Sequence, residues 1–227
     1  MPGLTGKHRQ AFVPGQNADP SIPEGDGFGA VRVGSNGIAT AIATLADGTK
    51  LSRSVPLSGH GLWPLYVPLY AGKGSIVSWV AFTNQPGSDV GGLVSWIKPS
   101  NALTRFYAGG FTNECQLGGS AYVPPAGVTN RVLNFTNGVV SFSGGNLAAD
   151  FTNVVAFGLS SKVLNQSSNR LVLSISIPTG TFTGSATDPA SGKVRTFGGA
   201  VIQKLNAGYG SLMGTNLSSR VILSADP

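Results

Sequence analysis

With 227 residues, 41% of them hydrophobic, the chain is long enough for one large or two small β domains and apolar enough to bury a core. Only 11% of residues are charged, and 33 glycines and 14 prolines interrupt the chain too often for long helices, whose 3.6-residue apolar period is also missing. The net charge of +6 arises from 15 bases against 9 acids, and the bases are scattered singly, which argues against a nucleic-acid partner and leaves solubility and loose attraction to acidic polymers.

From the N-terminus, residues 1–26 carry four prolines and almost no periodicity, so they read as a linker or extended arm. FGAVRVG then leads into Asn36-Gly37, the strongest short-range hairpin signal, and IATAIATL follows. Ala46-Asp47-Gly48 turns the chain into KLSRSVPL, and Ser58-Gly59-His60-Gly61 makes a flexible corner. LWPLYVPLY carries prolines at 64 and 68, which calls for an edge strand or one broken by bulges. Gly72-Lys73-Gly74 turns into SIVSWVAF, and GLVSWIKP and TRFYAGGFTNE complete a first half at 27–115.

Residues 116–131 are rich in Gly and Pro and read as a connecting loop. The second half, 132–227, restarts with VLNFTNGVVSFS, where Asn137-Gly138 again signals a hairpin. DFTNVVAFGLSSKVLN, a turn at 166–169 and RLVLSISIP follow. GTFTGSATDPASGKV then echoes GIATAIATLADGTKL at one constant offset: Thr40 meets Thr183, Thr44 meets Thr187 and Lys50 meets Lys193. The segment 58–64 belongs to the first copy alone. The fold expected is all-β: two antiparallel β-barrel-like halves of about six strands each, from an internal duplication. A single large barrel of about twelve strands or a sandwich is the alternative.

At GLWPLYVPLYAGKGSIVSWVAF (61–82), GLVSWIKP (92–99), FYAGGFTNE (106–114) and NAGYGSLMGTNLSSRVIL (206–223), the sequence resembles an uncharacterised all-β module. That module occurs in the C-terminal parts of large secreted or surface proteins of environmental bacteria, often after immunoglobulin-like or other repeats. The resemblance covers residues 27–225 and implies architecture and an extracytoplasmic setting, but no catalytic residue. A secreted or cell-surface chain, cut from a longer one or freed of its signal, is the expected context.

Few constellations carry chemistry. Cys115, alone and beside Glu114, reads as a buried thiol and cannot form an intrachain disulfide, and two histidines cannot assemble a His/Cys metal set. No cofactor motif and no membrane-length apolar run occurs. His60 is the one histidine suited to act as a base, in a Gly-flanked corner with Ser58 nearby and Lys73 as a further catalytic candidate. Ser95-Trp96-Ile97-Lys98 matches a serine-enzyme pattern that needs a helix, whereas a strand sends Ser95 and Lys98 to opposite faces. Asp26, Asp47, Asp89, Glu114, Asp150 and Asp188 show no spacing that singles out a glycosidase pair.

Aromatics offer a different route, since flat rings beside amides and hydroxyls suit the apolar faces of sugars. Trp63, Tyr66, Tyr70 and Tyr107 are the ligand-binding candidates; Trp63 follows the glycine corner and reads as exposed, while Trp79 shares a face with Val77 and Ala81 and reads as core. The first expectation is therefore an extracytoplasmic binding or display module for glycan or cell-surface polymer. A small esterase-like hydrolase around His60 and a purely structural spacer are the alternatives.

Overall fold

The computed structural model describes residues 19–127 and 129–226, together with the backbone of 8–13. The first half contains β1 (His8–Val13), β2 (Gly27–Val33), β3 (Ile38–Thr44), β4 (Lys50–Pro56), β5 (Leu62–Leu69), β6 (Gly74–Phe82), β7 (Val90–Lys98) and β8 (Phe111–Ala121). The second contains β9 (Asn137–Ser143), β10 (Phe151–Phe157), β11 (Val163–Asn165), β12 (Leu171–Ile175), β13 (Thr181–Thr187), β14 (Val194–Ile202), β15 (Ala207–Met213) and β16 (Ser218–Ala225). Short 3-10 turns at Tyr70–Gly72, Leu159–Ser161 and Gln203–Leu205 round the corners. No helix among the described residues is long and apolar enough to cross a membrane.

These strands build two eight-stranded antiparallel sheets, in the orders β4-β3-β2-β1-β8-β7-β6-β5 and β11-β10-β9-β16-β15-β14-β13-β12. In both, the first strand of the half pairs with the last, β1 with β8 and β9 with β16. Each sheet wraps around its own core, and its two edge strands, β4 and β5 or β11 and β12, come near each other. Val33, Leu45, Val80 and Trp96 fill the first; Leu133, Phe142, Phe182 and Leu212 fill the second.

Each sheet has eight strands where about six were expected. One addition is β1, inside the stretch read as an arm; it lies between β2 and β8. Another difference is β8, which runs to Ala121 and so enters the stretch read as a connecting loop. Gly118 and Gly119 disguised it, yet both stay in the ladder opposite Gly91 and Val90. Asn36-Gly37 does form the β2–β3 turn, with Gly37 at φ +76° and Gly34 N–H bonding Ile38 C=O at 2.8 Å. Asn137-Gly138 instead opens β9; a Cβ on Gly138 would meet the Phe135 ring and the Ser224 carbonyl at 2.6 Å, so this glycine serves close packing. The sequence echo places β3–β4 against β13–β14, the third and fourth strands of one sheet against the fifth and sixth of the other.

The barrels stay open at β4/β5 and β11/β12. At the first seam the cause is written in the sequence. The β4–β5 turn starts a ladder, with Ser58 N–H bonding Leu62 C=O at 2.8 Å. Counting outward from that pair, the next residues to exchange bonds are Pro56 and Pro64, neither of which has an N–H to give, and Pro68 follows. β5 is thus the edge strand that its prolines call for.

Between the barrels, β1, β2 and β8 lie against β14 and β15. Polar contacts fix this junction. Arg220 Nε donates to Asp26 at 3.1 Å, and Lys204 Nζ pairs with Asp89 at 2.7 Å. Arg105 donates to the carbonyls of Thr215 and Gly214.

Candidate functional site

The outer face of β5, β6 and β7 carries the most exposed aromatic surface of the first barrel. Along β5 the inward positions are Trp63, Leu65, Val67 and Leu69, so Leu62 and Tyr66 point outward; along β6, Ile76, Ser78 and Val80 point inward, so Val77 and Trp79 point outward. Trp79 is 62% exposed and Tyr66 53%, against 3% for Trp63. Tyr66 stands opposite Val77 and Pro64 opposite Trp79, which makes Tyr66 and Trp79 diagonal neighbours roughly 8 Å apart. Exposed Leu93 and Ile97 on β7 extend the patch. Beyond them Thr112, Glu114 and Gln116 form a polar rim on β8, where Glu114 accepts a 2.9 Å hydrogen bond from Ser95 Oγ. Among the described residues Glu114 is the one charged side chain at an outward position of β5 to β8.

The two tryptophans have exchanged the places expected of them. Trp63 is core: it stacks on Phe82 with centroids 6.5 Å apart, and it borders an apolar cavity of about 60 Å³ with Leu65, Ile76, Val94 and Leu117. Among the described residues its Nε1 has no hydrogen-bond partner. Trp79 is surface. The run SIVSWVAF is apolar at odd and even positions alike, so alternation could not choose the face; pairing with β5 and β7 chose it.

Tyr70 and Tyr107 are also removed from any outer platform. Tyr70 is half-buried and donates to Asp47 Oδ2 at 2.8 Å while accepting from Trp96 Nε1 at 3.0 Å. Burial, and then the Asp47 charge, push its phenol pKa far above the usual range. Asp47 also accepts from Lys98 Nζ at 2.8 Å and from Thr49 N–H at 2.9 Å, and Lys98 sits 4.2 Å from the Tyr70 ring centroid. This buried cluster closes one end of the first barrel. Tyr107 is buried at the junction, where its hydroxyl meets Ser218 Oγ at 2.9 Å and accepts from Ser218 N–H at 2.8 Å.

The three catalytic candidates do not converge. His60 is exposed in the β4–β5 turn, and the nearby Ser58 Oγ accepts from Leu62 N–H at 3.1 Å, a local turn bond. Lys73 is exposed beyond the far end of β5. Eight strand residues lie between them, a span of roughly 25 Å. At its end Lys73 borders a cleft of about 480 Å³ with Tyr70, Lys98, Ser100 and Asn101.

The acids are committed to structural bonds. Asp26, Asp47 and Asp89 hold Arg220, Lys98 and Lys204; Asp150 accepts from Gly144 N–H, and Asp188 from Ser191 Oγ and Ala190 N–H. Ser95 and Lys98 do face opposite sides of β7, toward Glu114 and Asp47. Cys115 is buried and its thiol is pushed up to about 11, by burial first and by the charge of Asp26 second. The adjacent Glu114 lies on the other face of β8. Among the described residues no group of three His, Cys, Asp or Glu side chains is placed to hold a metal ion.

Missing from the sequence reading were Trp79, Leu93 and Ile97 as surface residues. The signal available was the pairing of β5 with β6: once Trp63 is inward, its partner Val80 must be inward and Trp79 outward. No protein-family model matches the sequence, and no curated protein matches it.

Proposed function

We propose that the chain is a binding or display module whose first barrel presents its outer β5–β7 face to a glycan or cell-surface polymer in an extracytoplasmic setting. The observation that supports this reading is the exposure of Trp79 and Tyr66 on adjacent strands, within an apolar patch rimmed by hydroxyl and amide groups. An exposed tryptophan is costly to leave in water, and exposed apolar patches of this kind mark contact surfaces. Rings also suit sugars, whose C–H faces stack while their hydroxyls find the rim. A repeated eight-strand unit underlies both halves on this reading, supported by the first-to-last strand pairing that each sheet shares.

A panel of cell-wall and storage polysaccharides, each offered as a retardant in native gel electrophoresis or as a pull-down matrix, tests the proposal. Retention by at least one polymer is expected, with loss in the Trp79→Ala/Tyr66→Ala double variant while the thermal midpoint holds. A wild-type chain that no polymer retains would overturn it.

A further inference from the structure

We infer that the β5–β7 face takes neutral polysaccharide chains already ordered side by side in an insoluble array, rather than single soluble chains or acidic polymers; the inference rests on the glycan-binding reading above. Charge comes first. The protein carries a net +6, yet among the described residues no Lys or Arg occupies an outward position of β5 to β8. Lys98, on β7, is turned inward and spent on Asp47. The exposed bases Arg32, Lys50 and Arg53 belong to β2 and β4 instead. Among the described residues, an acidic polymer would find no counter-charge at the outward positions of β5 to β8.

Shape points the same way. Tyr66 and Trp79 stand on the outside of a curved sheet, with the β5 edge on one flank and β8 on the other. The outer face of a sheet touches a ligand from one side. A flexible chain would lose its conformational freedom for those few contacts. A chain held in a solid has already lost it. Repetition along the array also offers every molecule a site, which a one-sided platform can use without enclosing anything.

Microcrystalline cellulose and chitin powder serve as neutral ordered probes, cello-oligosaccharides as soluble neutral ones, and polygalacturonate as the acidic one. Depletion of the wild type by a powder is expected, unchanged between low and high salt and uncompeted by millimolar oligosaccharide. Trp79→Ala should weaken retention by about tenfold or more, as for a buried aromatic anchor. Ile42→Ala, an exposed apolar change on β3, should leave it unchanged, and Trp79→Phe should restore part of it. Retention only on polygalacturonate, abolished by salt and indifferent to Trp79→Ala, would overturn the inference while leaving polymer binding in place. Full competition by soluble oligosaccharides would do the same. Self-association lost in Trp79→Ala, with no powder retention, would reassign the face to a second copy of the chain. Retention by no polymer at all would remove the underlying function as well.

Discussion

Asp47 illustrates how much a single residue's partners decide. In sequence it reads as a turn former, and its bond to Thr49 N–H is that of a turn; its second oxygen, however, holds Lys98 and Tyr70 in a setting where the side chain of Asp47 is 0% and that of Lys98 4% exposed. Removing one member of such a pair strands the other charge, so Asp47→Ala should cost about 3–5 kcal/mol in denaturant unfolding. Asp47→Ala combined with Lys98→Met should recover much of that loss. Cys115 gives a prediction in pH. Its folded pKa, about 11, stands above the ordinary 9.0, so an unfolded chain releases the proton first. The stabilisation is complete below pH 9 and fades as pH rises toward 11. Below pH 9 a thiol reagent should modify the native protein far more slowly than the unfolded one, and fast native labelling would show the thiol to be accessible. Residue types on the candidate face were legible in the sequence; their directions were not. Val77, Trp79 and Ala81 alternate as well as Ile76, Ser78 and Val80 do, and only the register with β5 distinguishes them.

Among elements, turns and edges were the readable part. Asn36-Gly37 announces the β2–β3 hairpin because its backbone demands it, and the prolines of β5 announce an edge because they lack donors. What could not be read was β1, because HRQAFV is short and its place between β2 and β8 depends on partners remote in sequence. The seam has a direct test. Ser54 and Tyr66 share the parity of Ser58 and Leu62, whose N–H groups face across it, so their amides should exchange with solvent quickly. Leu65 and Val67, facing β6, should be protected. Equal protection along β5 would mean that the β4–β5 ladder forms in solution.

For the molecule as a whole, an all-β meander was foreseeable from turn spacing, but the coupling between its two sheets was not. It depends on pairs such as Asp26–Arg220 and Tyr107–Ser218, which no local pattern links. Tyr107 carries this junction: its ring meets Phe111 edge-on at 5.5 Å inside the first barrel while its hydroxyl serves Ser218 in the second. Calorimetry of the wild type should show one transition, and Tyr107→Ala should separate it into two as the barrels lose their shared contacts. A single transition in the variant would assign the coupling to the remaining contacts. The prolines at 56, 64 and 68 bear on a further hazard. A protein that presents an apolar strand at a sheet edge risks zipping onto the same strand of its neighbours, and a surface crowded with copies raises that risk. With donors missing from the free side of β5, the edge is a poor template for cross-β growth. The prolines that interrupt the β4–β5 ladder therefore also disfavour pairing of β5 with a second copy of the chain.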